Sequence, residues 1–221
     1  MTDSIWQDCL EGLEREVEPG QFETYIKPLH SANKNGQLFL LAPNVYVEKK
    51  VEVRDGEKYI SIEPAHNDLI IDFEIVYKNP LIRTRRKEFK LSQDNLSEIY
   101  NSRTFCLYED IDFIKSKGLA KGGSLDNAIV VKDNTILNDD GLRNRHEFVN
   151  HKILDCLGDL MLSGNRIMGH VITSQGGHAL TNKLLLKFFE NESNWSLKSI
   201  KSVSNKVEFK ETLKKPIAVG I

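Results

Sequence analysis

Apolar residues in the first 45 positions predict two short helices and one strand. The first group, at helical spacing, is Ile5, Cys9, Leu10, Leu13 and Val17. Pro19-Gly20 interrupts that pattern. The second group, which ends near Pro28, is Phe22, Tyr25 and Ile26. Residues 38–41 are predicted to form a strand after the turn signal Asn35-Gly36. We expect two short helices and one strand to make a poor core for an independent domain.

From Val47 onward, the alternation of apolar and polar residues favours strands. Val51 and Val53 precede Asp55-Gly56, and Ile60 and Ile62 follow it, a pattern that predicts a β-hairpin. Further strands are predicted at 68–77, 127–131 and 166–173, with an edge strand from Trp195 and a frayed end after it. Helices are predicted at 94–100, 110–117, 145–162 and 178–190, the first two with Asp94 and Asp110 as N-caps. Residues 47–221 are therefore expected to form an α+β fold, a two-layer α/β sandwich with helices on one face of a mostly antiparallel sheet, preceded by a short helical segment.

The composition is that of an ordinary globular protein. Hydrophobic residues make up 40% and charged residues 28% of the 221 positions, which excludes collagen-like, mucin-like and wholly disordered chains. Lys and Arg number 30 against 32 Asp and Glu, a net charge of −2, so we expect no direct nucleic-acid binding. The longest apolar runs, 38–42 and 128–131, are too short for a transmembrane segment. The N-terminus has no secretory signal, so we expect a cytoplasmic protein.

Histidines and carboxylates, rather than cysteines, are the candidates for chemistry. The cysteines are Cys9, Cys106 and Cys156. They are odd in number and widely spaced, so we expect reduced, packed thiols. At about 100° per residue, His151, Asp155 and Asp159 form one stripe of the predicted helix. An imidazole and a carboxylate at i and i+4 can bind one zinc ion, and Asp159 can orient a further histidine. A polar stripe that is merely solvated gives the same pattern.

Two other residues are candidates on local grounds. His178 follows Gly176-Gly177, where a ligand or a neighbouring backbone can approach closely. Its imidazole suits general acid catalysis near neutral pH, although a capping or core histidine fits the same position. Thr104 can donate a hydrogen bond to a developing oxyanion, or it is a simple turn residue.

Five ordered stretches between residue 47 and the end of the chain share motifs with one enzyme family. They are residues 102–105 (SRTF), 118–131, 137–143, 147–160 (EFVNHKILDCLGDL) and 177–185 (GHALTNKLL). In these stretches the chain resembles the C-terminal half of the zinc-dependent UDP-3-O-acyl-N-acetylglucosamine deacetylases (LpxC), which catalyse the committed step of lipid A synthesis. Residues 47–221 are accordingly expected to form an LpxC-like C-terminal deacetylase domain.

The resemblance implies a role for each matching residue. His151 and Asp155 correspond to two of the family's three zinc ligands. His178 corresponds to the histidine that protonates the departing amine or steadies the oxyanion, and Asp159 to the acid that pairs with it. Thr104 corresponds to a threonine beside the reacting carbonyl.

The implied substrate is a UDP-sugar that carries an acyl chain. Lys152 and Phe105 correspond to substrate contacts of the family. Residues 110–131 correspond to an inserted β-α-β element that lines an apolar passage for the acyl chain. The residues expected there are Ile111, Leu119, Ser124 and Ala128.

The sequence also departs from the family. The first half of the family's fold supplies the third zinc ligand, a histidine, and a neighbouring glutamate that acts as general base. No Glu-His pair precedes Val47, and His30 lacks the context. Two protein ligands hold zinc less well than three, and loss of a general base lowers rates about 10²–10⁴-fold. We therefore expect a poor or inactive catalyst alone, completed by the missing N-terminal half or by a homo-oligomer.

Residues 1–46 resemble a different family. The motifs are residues 5–10 (IWQDCL), Phe22, residues 25–29 (YIKPL) and residues 41–44 (LAPN). They are similar to part of the N-terminal domain of the bacterial replication initiator DnaA, which self-associates partly through a tryptophan that matches Trp6. This likeness implies replication proteins as partners. It leaves two alternatives to the enzyme: a non-catalytic interaction module, or a fusion of gene fragments without evolved function.

Overall fold

The computed structural model describes residues 2–34, 37–41, 43–66 and 68–198. Contacts divide the chain at Ala42 into two compact units, with Met1–Ala42 in the first and Pro43–Lys198 as the second. In the part of the chain that the structure describes, no helix is both long and apolar enough to cross a membrane.

The first unit contains helices and a β-hairpin. The helices are α1 (Thr2–Glu16) and α2 (Pro19–Gln21), the latter continuing into a π-helical turn (Phe22–Ile26). Strands β1 (His30–Lys34) and β2 (Gln37–Leu41) pair antiparallel, with His30 opposite Leu41. The sequence analysis predicted β2 but not β1, because polar residues make up most of that strand. The predicted turn at Asn35-Gly36 lies outside the described residues.

Trp6 is buried within this part of the chain. Its side chain is 7% exposed, and the indole Nε1 donates a hydrogen bond to the carbonyl of Leu29 (3.2 Å). Phe22 is 5% exposed. The fold buries both aromatic residues because α1 contacts β1 and the π-helical turn. The side chain of Tyr25 lies outside the described residues.

The second unit is built on one large and one small sheet. The strands of the large sheet are β3 (Asn44–Val47), β4 (Val51–Asp55), β5 (Lys58–Glu63), β6 (Leu69–Ile75), β7 (Arg85–Lys90), β11 (Arg166–Ser174) and β12 (Trp195–Lys198). Those of the small sheet are β8 (Thr104–Leu107), β9 (Ala128–Lys132) and β10 (Thr135–Ile136). The helices are α3 (Leu96–Tyr100), α4 (Ile111–Ser116), α5 (Glu147–Leu160) and α6 (His178–Phe189).

Strand β11 is the centre of the large sheet. Its first three residues pair in parallel with β3, and the remainder lies between antiparallel β5 and parallel β6. Strands β4, β7 and β12 extend the sheet through antiparallel pairs. The predicted hairpin of β4 and β5 is confirmed. Its two-residue loop starts at Gly56 (φ 61°), one position later than expected.

Helices α5 and α6 cover the large sheet. α5 packs on β6 and β7, α6 packs on β4 and β5, and the two helices contact each other. Alternate strand residues such as Ile60, Ile71 and Phe89 are fully buried against them. The predicted α+β class, with helices on a mostly antiparallel sheet, is confirmed.

One predicted helix N-cap is wrong, and the other lies at the predicted position without a capping hydrogen bond. The N-cap of α3 is Asn95, whose Oδ1 accepts a hydrogen bond from the Ser97 N–H (3.0 Å), and not Asp94. Asp94 instead accepts from the Lys90 N–H through Oδ2. Asp110 precedes α4, but its side chain makes no capping bond, because a single 3₁₀ turn (Tyr108–Asp110) leads into that helix. Both differences concern how the backbone enters the helix, which the residue type alone does not determine.

Two glycines give a direct test of the packing. A Cβ added to Gly169 in β11 would lie 2.5 Å from Val47 Cγ2 and 3.3 Å from the Glu63 carbonyl oxygen. We expect Gly169→Ala to lower the free energy of unfolding by about 1–3 kcal/mol through overpacking. Gly158 in α5 has open space around it, so Gly158→Ala should raise that free energy by about 0.5–1 kcal/mol through helix propensity. Urea titrations monitored by circular dichroism measure both, and equal effects would contradict the described packing.

Candidate functional site

One face of α5 carries the predicted polar stripe. His151, Asp155 and Asp159 occupy successive turns, while Ile153 and Cys156 are buried on the opposite side. The side chains of His151, Asp155 and Asp159 remain 16%, 17% and 16% exposed. The stripe is therefore mostly buried, and it does not form an open, fully solvated surface.

His151 and Asp155 point to the same place. His151 Nε2 and Asp155 Oδ1 are 3.4 Å apart, and Lys152 Nζ contacts the other carboxylate oxygen of Asp155 at 2.7 Å. On its far side, His151 Nδ1 lies 3.3 Å from the Ser102 carbonyl oxygen. A carbonyl can only accept, so Nδ1 carries the proton and the lone pair of Nε2 faces Asp155.

Burial dominates the protonation of His151. It lowers the pKa of His151 below the usual 6.5, although the Asp155 charge and the Ser102 hydrogen bond act in the opposite direction. Lys152 and His178 are close enough that their charges lower this pKa further. A neutral imidazole with a free Nε2 lone pair is the form that binds a metal.

These two side chains fit part of a zinc site. Two donors at zinc-ligand distances and tetrahedral angles lie about 3.4 Å apart, which is the separation of His151 Nε2 and Asp155 Oδ1. Across residues 2–34, 37–41, 43–66 and 68–198, no group of three His, Cys, Asp or Glu side chains gathers as a metal site. Among the described residues, an imidazole and a carboxylate therefore meet in a geometry that suits a metal ion, without a third side chain of these types.

His178 meets Asp159 beside this pair. His178 is the first residue of α6, directly after Gly177, and its Nδ1 lies 2.8 and 2.9 Å from the two carboxylate oxygens of Asp159. The His178 side chain is 71% exposed. Because Nδ1 is occupied by Asp159, Nε2 is the nitrogen available for proton transfer.

A cavity of about 640 Å³ lies between β8, α4 and the loop before β9. It is lined by six residues singled out in the sequence: Thr104, Phe105, Ile111, Leu119, Ser124 and Ala128. Thr104 and Ala128 are opposite each other in the parallel pair of β8 and β9. The rings of Phe105 and His151 have centroids 6.5 Å apart, so the cavity approaches the histidine of the polar stripe.

Sequence reasoning missed a buried ion pair next to the site. Arg103 and Glu147 have side chains 3% and 0% exposed, with Nε 2.9 Å from Glu147 Oε1. Arg103 also contacts Asp140 through Nη1 at 2.9 and 3.0 Å. Burial by itself raises the pKa of Glu147, but hydrogen bonds from Arg103 and from the backbone N–H groups of Arg103 and Arg143 lower it below the usual 4.5. The signal in the sequence was an acid in the first turn of a predicted helix.

The described geometry agrees with the sequence comparisons. The profile of the family described as UDP-3-O-acyl N-acetylglycosamine deacetylase (LpxC) matches residues 20–190. The chain belongs to the LpxC family. Similar curated relatives are the UDP-3-O-acyl-N-acetylglucosamine deacetylases of Campylobacter fetus (42% identity, 69% of this chain) and of a Nitratiruptor species (45% identity, 68% of this chain). These alignments cover 52% and 51% of the relatives, so this LpxC homologue spans about half their length.

The LpxC match also bears on the N-terminal residues. It begins at residue 20, inside the segment 1–46 that resembles the replication initiator. No comparison supports the initiator resemblance. Trp6, which the likeness would use for self-association, is 7% exposed. Of the two resemblances drawn from the sequence, the deacetylase one is confirmed as a family assignment.

The buried ion pair predicts a large loss of stability when its charge is removed. Glu147→Gln leaves Arg103 buried with only Asp140 as a charged partner, so we expect the free energy of unfolding at pH 7 to fall by about 3 kcal/mol. Glu52→Gln, which removes the exposed pair with Arg54, should change it by less than about 1 kcal/mol. Urea titrations of the three proteins test this, and equal losses would contradict the burial of the pair.

The same pair predicts how stability depends on pH. Because the folded pKa of Glu147 lies below the unfolded value near 4.5, its ionisation stabilises the fold above pH 4.5 and loses that contribution as pH falls through the folded pKa. We expect the stability difference between the parent and Glu147→Gln to be constant from pH 6 to 8 and to shrink below about 4.5. Urea titrations from pH 3.5 to 8 measure it. A difference that grows toward acid pH would reverse the sign of the described pKa shift.

Proposed function

We propose that this chain provides the C-terminal part of a zinc-dependent deacetylase active site, which hydrolyses the N-acetyl amide of a UDP-3-O-acyl-N-acetylglucosamine. The observation that carries the proposal is the arrangement on α5, where a His151–Asp155 pair lies one turn from an Asp159–His178 pair. Family membership supplies the substrate class, because the similar relatives bear that name.

His151 and Asp155 would hold the zinc ion. When bound there, zinc supplies a Lewis acid that polarises the amide carbonyl. The Ser102 carbonyl holds His151 in the tautomer with Nε2 free, and Lys152 holds one oxygen of Asp155 so that the other faces the histidine. Both contacts orient the ligands before a metal arrives.

His178 is suited to the proton transfer that ends amide hydrolysis. Water adds to the amide carbon, the C–N bond breaks, and the departing sugar nitrogen must receive a proton to leave as an amine. Asp159 accepts from His178 Nδ1, which fixes the orientation of the imidazole and leaves Nε2 available for proton transfer. Asp159 acts here as a positioning residue.

The remaining candidates would bind the rest of the substrate. Thr104 at the start of β8 would donate its hydroxyl to the developing oxyanion. Phe105 links the cavity to His151. Ile111, Leu119 and Ala128 would surround the acyl chain with apolar surface, and Ser124 lies on the same wall. Lys152, already paired with Asp155, would contribute a positive charge toward the substrate.

A general base and a third zinc ligand would have to come from a partner. The described residues offer two ligands, and the similar relatives are about twice as long as the matched part. The partner that fits is the other half of an LpxC protein, as a separate chain or a further segment, with a second copy of this chain as the alternative. We expect little turnover from this chain alone.

Complementation is the direct test. Purified chain is mixed with zinc and the separately expressed remaining half of the Campylobacter fetus relative, and release of acetate from the UDP-sugar is measured. We expect activity in the mixture only, lowered about 10²–10⁴-fold by His178→Ala. His66→Ala, which alters an exposed histidine elsewhere, should behave as the parent. No turnover in any mixture, or equal turnover of His178→Ala, would contradict the proposal.

The cavity predicts selectivity for the acyl group. Ala128→Phe places a ring opposite Thr104 and fills part of the 640 Å³ space. We expect it to weaken binding of a UDP-sugar with a long acyl chain by about tenfold or more, and to leave a short-chain analogue unaffected. Calorimetric titration of the complemented protein measures both ligands, with Ala65→Phe as the same change outside the cavity. An equal effect on both ligands would place the acyl chain elsewhere.

A further inference from the structure

A single peptide group connects two side chains of α5. The Ser102 carbonyl lies 3.3 Å from His151 Nδ1, and the next backbone atom, the Arg103 N–H, donates to Glu147 Oε1 at 3.1 Å. Glu147 and His151 are four residues apart and share one face of the helix. The Ser102–Arg103 peptide is therefore held on its N–H side by a carboxylate and on its C=O side by an imidazole.

Several buried hydrogen bonds hold the Glu147 carboxylate in place. Its side chain is 0% exposed, and its other oxygen, Oε2, accepts from the Arg143 N–H at 2.6 Å. The Arg103 guanidinium binds the same carboxylate and also the Gly141 carbonyl. These contacts join the start of β8, the loop before α5 and the first residue of α5, so the peptide cannot rotate without breaking buried hydrogen bonds.

We propose that Glu147 is a positioning residue for His151 and acts through the Ser102–Arg103 peptide. A carboxylate that accepts from a peptide N–H polarises the peptide and makes its carbonyl a stronger acceptor. The Ser102 carbonyl then holds the His151 proton on Nδ1 and makes Nε2 a better metal ligand. The consequence for metal binding rests on the proposed function, because the metal is the one that His151 and Asp155 would hold.

Asp140 provides a matched control. It is a second carboxylate bound to Arg103, at 2.9 and 3.0 Å, and its side chain is 59% exposed. It binds Nη1 of the guanidinium and makes no contact with the Ser102–Arg103 peptide among the described hydrogen bonds. Asp140→Asn and Glu147→Gln each remove one negative charge from Arg103, but only the second replaces the charged acceptor of the peptide N–H with a neutral, weaker one.

The first measurement needs no metal. Nitrogen NMR of the full chain labelled at histidine reports which ring nitrogen of His151 carries the proton. We expect the Nδ1–H form in the parent and in Asp140→Asn, and a clear shift toward the Nε2–H form in Glu147→Gln. An unchanged tautomer in a folded Glu147→Gln protein would overturn the proposal and leave the proposed function untouched.

The second measurement uses zinc alone as the probe. We expect Glu147→Gln to weaken zinc binding by about tenfold or more, and Asp140→Asn to stay within about twofold of the parent. His151→Ala gives the level of binding outside the site. If the parent binds no more zinc than His151→Ala, the metal part of the proposed function fails, while the tautomer still decides the role of Glu147.

A more conservative variant tests the proposal if Glu147→Gln does not fold. Glu147→Asp keeps the negative charge at the start of α5 with a side chain one methylene shorter. Because the shorter side chain draws the carboxylate away from the Arg103 N–H, we expect Glu147→Asp to show a partial shift toward the Nε2–H form. Its zinc affinity should lie between those of the parent and Glu147→Gln. If Glu147→Gln does not fold, a Glu147→Asp protein with the parental tautomer and parental zinc affinity would overturn the proposal.

Discussion

The buried contact between Arg103 and Glu147 joins the three parts of the second unit that meet at the site. Water is excluded from both side chains, which are 3% and 0% exposed. Removing either partner would leave a buried charge without its main counter-charge, so the strand start, the preceding loop and the helix must keep their places together. Thr104, which follows Arg103, and His151, one turn after Glu147, are fixed relative to each other by this pair.

Helix α5 serves stability and chemistry on opposite faces. Phe148, Val149, Ile153, Cys156 and Leu160 lie in the core. The other face carries two carboxylates, a lysine and a histidine, and burial there lowers the pKa of His151. Burial of Cys156 likewise raises the pKa of its thiol to about 12, as expected for a packed cysteine. Cys9 is exposed, so the expectation of a packed thiol is wrong there. The apolar face anchors the helix, and the polar face is left free for ligands.

The chain spans about half the length of its similar relatives. Residues 20–190 match the LpxC family, and the described part of the chain brings one imidazole and one carboxylate together on α5. Contacts within this chain orient the polar side chains of α5. The Ser102 carbonyl holds His151, Lys152 holds Asp155, and His178 holds Asp159.

The sequence by itself determined the elements with strong periodicity and the residues carried by motifs. The β4–β5 hairpin, α5, α6 and β11 follow from apolar spacing, and helical geometry alone places His151, Asp155 and Asp159 on one face. Only the tertiary structure decided which distant segments meet that face. The approach of His178 to Asp159, of Ser102 to His151, and of Arg103 to Glu147 spans 19 to 49 residues along the chain. Local pattern cannot encode such contacts, because they depend on how the strands order around β11 and on where burial excludes water.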